Sequence, residues 1–129
     1  VIVLDASAAV ELLAGSAVGG RVGSLLRADD VVAPELLDVE ISSAFARLVR
    51  AGTVTDEAAG ARVSALQRMP VVRIPHRPLT GRAWRLRDRV RISDAFYVAC
   101  AELVDGSLVT TDSRLGRAGL SGVTITVVT

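Results

Sequence analysis

The 129-residue sequence has no lysine. It has one cysteine, one histidine and one methionine, and its aromatic residues are two phenylalanines, one tyrosine and one tryptophan. The single cysteine excludes an intrachain disulfide and fits a reducing, cytoplasmic compartment. The single histidine, His76 between Pro75 and Arg77, leaves little scope for imidazole base chemistry; it reads as a loop residue at the surface or against a phosphate. No apolar run approaches the ~20 residues that a bilayer-spanning helix needs. No charged leader followed by an apolar stretch opens the chain, so a membrane partner is not expected. Half of the residues are hydrophobic and 22% are charged. That balance belongs to a globular protein, and the length to one domain, residues 1–129. A chain of this size buries roughly two thirds of its unfolded surface and needs no metal or disulfide to hold a core.

The net charge of +1 hides an asymmetry. All 15 basic residues are arginine, and Arg73, Arg77, Arg82, Arg85, Arg87, Arg89 and Arg91 fall in one stretch against a single acid, Asp88. That stretch suits a polyanionic partner, while the acid-rich remainder suits a metal ion.

Short β-branched runs alternate with helical patterns. Strands are expected at Val1–Leu4, Val31–Ala33, Val71–Ile74, Ser107–Thr111 and Val123–Val128. Helices are expected at Ala6–Ala14, at Arg21–Arg27 after a Gly19-Gly20 break, at Glu35–Ala51 and from Thr55 to Arg68. Further helices are expected at Thr80–Arg91 and Ser93–Val104, with a helical turn at Ser113–Ala118. The strands are continuous apolar runs without in–out alternation, as in a sheet covered on both faces. The fold class is therefore α/β, a three-layer sandwich around a central, mostly parallel sheet.

Ligands of such sheets bind beyond the carboxyl ends of the strands. Asp5 and Asp112 fall at two such ends, Asp94 begins a helix, and Glu40 lies inside a long one. Each has a plain explanation. Asp5 and Asp112 could be helix N-caps, and Asp94 an acid favoured near a helix N-terminus. Glu40 could be a rim residue whose stem lies on apolar surface. It sits within a turn of Leu36, Leu37 and Ala44, however, and no arginine lies three or four residues before it. Four carboxylates gathered at one sheet edge would repel one another unless a divalent cation joined them. All-oxygen ligation selects Mg²⁺ or Mn²⁺. Such an ion can generate a hydroxide near neutral pH and shield a phosphate during in-line attack.

These same residues carry a resemblance. Val-Ile-Val-Leu-Asp5-Ala-Ser7, Leu-Leu-Asp-Val-Glu40-Ile, Ser-Asp94-Ala-Phe-Tyr-Val-Ala and Leu-Val-Thr-Thr-Asp112-Ser-Arg-Leu resemble the four acidic motifs of the PIN domain. From first strand to last, the chain resembles the VapC-type toxins of bacterial toxin–antitoxin pairs. The resemblance implies a Mg²⁺- or Mn²⁺-dependent endoribonuclease acting on structured RNA, with Asp5, Glu40, Asp94 and Asp112 as catalytic and metal-binding acids. It implies supporting hydrogen bonds from Ser7 and Thr111, a homodimer, and a cognate antitoxin protein that blocks the groove. A non-catalytic PIN-like module binding RNA or protein is the alternative. Receiver domains and aspartyl-phosphate phosphatases, which rely on a lysine, are disfavoured by its absence.

Within the basic stretch, Arg82, Arg85 and Arg89 fall at helical spacing and form a candidate RNA-binding face. The other readings are a solvated helix face paired with acids, or an interface with an acidic antitoxin. Trp84 could stack on a base but suits core packing better. Cys100 reads as a buried core thiol, because no basic residue flanks it to lower its pKa.

Overall fold

The computed structural model describes residues 1–129. The elements run β1 (Ile2–Leu4), α1 (Ala6–Ala14), α2 (Ala17–Leu26), β2 (Val31–Pro34), α3 (Leu36–Arg50), α4 (Asp56–Arg68), β3 (Val72–Ile74), α5 (Arg77–Arg85), α6 (Ile92–Leu103), β4 (Ser107–Thr110), α7 (Ser113–Gly116) and β5 (Ile125–Val127). All five strands are parallel, in the order β3-β2-β1-β4-β5. No single helix is long and apolar enough to cross a membrane.

The chain moves outward from β1 to β2 and β3, then returns to place β4 on the other side of β1. Because parallel crossovers are right-handed, reversing direction also moves the connecting helices to the opposite face. Helices α1 to α4 pack on one another, while α5 packs on α6, which runs beneath β1, β2 and β4. The connections leaving β1 and β4 therefore diverge, and a crevice opens at their carboxyl ends. Strand β1 is paired on both sides and buried, consistent with its continuous Ile-Val-Leu run. It anchors one core that also holds Leu37, Ile41 and Phe45 of α3, and Tyr97 and Val98 of α6.

Two expected boundaries are corrected. Gly19-Gly20 does not break the chain: α2 begins earlier, capped by the Ser16 hydroxyl, which accepts the Gly19 N–H. A Cβ at Gly19 would stand 2.0 Å from the Glu11 carbonyl oxygen, so this glycine permits the close crossing of α1 and α2. The Arg-rich helix α5 begins earlier too, with Pro78 in its first turn, and it stops at Arg85. Arg82 and Arg85 are thus helical, but Arg89 lies in the irregular turn that follows.

Candidate active site

Asp5, Glu40 and Asp112 lie on connections that leave strand carboxyl ends, and Asp94 joins them from the start of α6, which follows α5. Asp5 immediately follows β1, Asp112 follows β4 after the intervening Thr111, Glu40 is in the second turn of α3, and Asp94 is in the first turn of α6. Helix N-termini partly offset gathered negative charge. All four acids line one cavity of about 550 Å³, together with Ser7, Glu11, Arg47, Arg91 and Thr111.

Asp5 is the fixed point. It is 5% exposed and makes no capping hydrogen bond to α1, so helix capping does not account for it. The Thr110 and Ser7 hydroxyls both donate to its Oδ2, at 2.6 and 2.7 Å. Each hydroxyl in turn accepts a backbone N–H: Ser7 from Thr111 at 3.1 Å, and Thr110 from Asp112 at 3.0 Å. With both protons committed to Asp5, the two hydroxyls orient one oxygen of the carboxylate and leave Oδ1 without a side-chain partner. Burial raises the Asp5 pKa, and the Asp94 charge adds to it, against the hydroxyl donors.

Glu40 is half-buried against the cavity, not spread on the rim. Burial raises its pKa, and the charges of Asp5 and Asp94 add to it, opposed by the Tyr97 hydroxyl and Arg91. Tyr97 is fully buried, and its hydroxyl is the one buried side-chain oxygen without a completed hydrogen bond. Burial likewise drives its pKa far up, so it stays a neutral donor beside the acids. Asp112 behaves differently. Burial would raise its pKa, but hydrogen bonds from the Arg114 side chain and backbone, with the charges of Arg114 and Arg91, outweigh it and hold the carboxyl low. Asp112 also caps α7 through the Arg114 N–H, so the capping explanation holds for this acid alongside its place in the cavity.

The donor set fits a hard divalent cation: carboxylate oxygens only, with Asp5 and Glu40 held without an arginine ion pair, around a space large enough for hydration water. No three of the acids converge closely enough to form a ready cage. Mg²⁺ and Mn²⁺ commonly take some carboxylates directly and others through bound water, so acids at this spacing can hold such an ion together.

The arginines of the basic stretch are largely engaged locally. Arg73 forms a bidentate pair with Asp38 and donates to the Leu66, Met69 and Val71 carbonyls. Arg82 is held bidentately by Glu102 at 2.6 and 3.0 Å, on the last turn of α6 and thus at the opposite end of that helix from Asp94. Arg89 donates to the Ala118 and Gly119 carbonyls. Arg85 is exposed and makes no hydrogen bond or ion pair. Trp84 is 60% exposed with Arg87 stacked over its ring at 4.2 Å, which corrects the expectation that it packs in the core. His76 is also reassigned: its Nε2 accepts the Leu36 N–H at 2.9 Å and its ring meets Phe96 edge-on, so it secures the start of α3. Cys100 is a buried free thiol whose pKa burial pushes up to about 11.

Sequence reasoning missed Thr110, Tyr97, Arg47 and Arg91. Thr110 was findable, because Leu4 pairs with Val109 and the next residues on the two strands are Asp5 and Thr110. Tyr97 lies three residues after Asp94, on the same helix face.

The PIN domain family model matches residues 2–120. The chain belongs to the PIN domain family. This PIN domain is 39% identical over 117 residues to Ribonuclease VapC12 of Mycobacterium tuberculosis, covering 91% of each chain. It is 41% identical over 122 residues to Ribonuclease VapC3 of the same species, covering 91% of this chain and 86% of the relative. Among solved structures, its fold is shared by VapBC2 of Rickettsia felis bound to a DNA fragment from its promoter, with TM-score 0.73, 11% identity and coverage of 99% and 98%. It is shared also by VapC20 of M. tuberculosis, described as a sarcin–ricin loop cleaving toxin, with TM-score 0.68, 20% identity and coverage of 95% and 98%.

Proposed function

We propose that this PIN domain is a VapC-type toxin, a metal-dependent endoribonuclease that hydrolyses phosphodiester bonds in structured RNA. The carrying observation is the meeting of Asp5, Glu40, Asp94 and Asp112, from four separated stretches of chain, around one cavity at the point where strand order reverses. Relatives near 40% identity over nine tenths of the chain bear the name ribonuclease, which supports the activity.

Asp5, Asp94, Asp112 and Glu40 would hold Mg²⁺ or Mn²⁺. The bound ion supplies charge neutralisation and an activated water for in-line attack at phosphorus. Ser7 and Thr110 fix one Asp5 oxygen through their hydroxyls, and Thr111 supports Ser7 through its backbone N–H. Glu40, half-buried beside Tyr97 at the cavity wall, completes the carboxylate set that would hold the ion. Arg85, exposed and without a partner, is the member of the basic stretch proposed to meet RNA phosphates; Arg82 is held by Glu102 and Arg89 by the Ala118 and Gly119 carbonyls. The partners are RNA, a cognate antitoxin protein and a second copy of the chain; the VapBC2 structure among the fold neighbours supports the antitoxin.

The test is cleavage of a 5′-labelled structured RNA by purified protein. Cutting is expected with Mg²⁺ or Mn²⁺, and none with EDTA or in Asp94→Asn. Cutting that persists in EDTA would overturn the reading, and RNA binding without any cutting would favour a binding module.

A further inference from the structure

Arg91 precedes the first turn of α6, and its guanidinium bonds two of the cavity acids. Its Nε donates to Asp94 Oδ2 at 3.1 Å, and its Nη2 stands 3.6 Å from Asp112 Oδ2. Nothing else holds the side chain, which is 62% exposed. It borders both the acid cavity and an adjoining groove of about 230 Å³ that Arg89 and Arg114 also line. The structural arginines of this molecule look different. Arg73 is mostly buried, with its fork divided between one carboxylate and three carbonyls. Arg91 instead shares its acceptor Asp112 with Arg114 and has no carbonyl partner.

We propose that Arg91 competes with the divalent cation for Asp94 and Asp112 and, once the ion has taken them, binds the scissile phosphate of the RNA. The proposal rests on the cavity being a metal-dependent nuclease site. A guanidinium and a dication answer the same need, countercharge for two carboxylates, and cannot both occupy the Oδ2 atoms of Asp94 and Asp112. A displaced Arg91 head stays tethered at the mouth of the cavity by a backbone position three residues from Asp94. The next anion to arrive there is the phosphate drawn to the ion. A planar fork matches two non-bridging phosphate oxygens, and charge grows on these during attack. Arg47, on α3, lines the same cavity but contacts no acid, which makes it the control for a general charge effect.

The experiment measures Mn²⁺ affinity by calorimetry without RNA, and single-turnover cleavage of a labelled structured RNA at saturating Mn²⁺. Wild type, Arg91→Ala, Arg91→Lys and Arg47→Ala are compared, with thermal melts confirming that each is folded. Arg91→Ala is expected to bind Mn²⁺ about tenfold tighter, since a competing charge in contact is removed. The same variant is expected to cleave roughly a hundredfold more slowly, the usual scale for loss of one transition-state donor. Arg91→Lys keeps the charge without the fork, so its Mn²⁺ affinity should return toward wild type while cleavage stays slow. Arg47→Ala should change Mn²⁺ affinity far less than Arg91→Ala. Unchanged or weaker Mn²⁺ binding by Arg91→Ala, or equal tightening in both alanine variants, overturns the competition. Unimpaired cleavage by Arg91→Ala overturns the phosphate contact. In both cases wild type still binds Mn²⁺ and cuts, so the nuclease reading survives; wild type that binds no Mn²⁺ removes that reading and this proposal together.

Discussion

Thr110 and Thr111 are identical neighbours with unequal duties. The Thr110 hydroxyl donates to Asp5 and accepts the Asp112 N–H, whereas Thr111 contributes only its backbone N–H. Thr110→Val leaves that N–H unsatisfied and should cost about 1–3 kcal/mol in urea unfolding, with a large loss of cleavage. Thr111→Val should stay within about 0.5 kcal/mol of wild type. Asp5 invites a different experiment. Both hydroxyls donate to the same oxygen, so Asp5→Asn can keep them by presenting its carbonyl, and it removes a buried charge. Because burial raises the folded pKa of Asp5, its contribution to stability is full below the ordinary carboxylate range and is lost as pH rises through the raised value. Glu40 has the same sign, and Asp112, with a lowered pKa, the opposite one. Without added metal at neutral pH, Asp5→Asn should therefore melt higher than wild type by about 2–6 °C while cutting no RNA. A lower melting temperature would contradict the assignment of Asp5 as a buried acid kept for function at a cost in stability.

At the scale of elements, two helical glycines make opposite demands. Gly19 has no room for a Cβ against the Glu11 carbonyl, so Gly19→Ala should force α1 and α2 apart at about 1–3 kcal/mol. Gly60, inside α4, has nothing within 4 Å, and Gly60→Ala should stabilise by about 0.5–1 kcal/mol. Denaturant midpoints of the two variants check both signs. The same contrast shows what the sequence could convey. Apolar runs such as Ile2–Leu4 report strands buried on both faces, and the central β1, β2 and β4 were legible for that reason, while β3 and β5, half-exposed at the edges, were legible as short β-branched runs. Gly19-Gly20 was read as a break because a pattern along one helix does not reveal the second helix lying against it. The acids were legible through their motifs and their places at strand ends. The roles of Thr110, Tyr97 and Arg91 depend on register and on contacts between distant segments, which no local pattern carries. The basic stretch misled in another way: charge composition gave a face, but Asp38, Glu102 and backbone carbonyls take up Arg73, Arg82 and Arg89.

For the molecule as a whole, an ion that binds only the folded chain must raise its stability. At a free concentration a hundred times its Kd, Mn²⁺ should add about 2.7 kcal/mol, read as an upward shift in melting temperature that Asp94→Asn abolishes. RNA affinity should fall with salt, and Arg85→Ala should flatten that dependence by about 0.7–0.9 per lost phosphate contact. The tie between Asp5 and Thr110 closes over 105 residues. Synthesis delivers β1 early, and its second neighbour, β4, comes only after β2 and β3. Until then the first acid has one of its two hydroxyl clamps, Thr110, missing, and the last of its companion carboxylates, Asp112, is still to come. The acid cavity therefore closes only when β4 has joined β1 and brought Asp112 beside the other three acids.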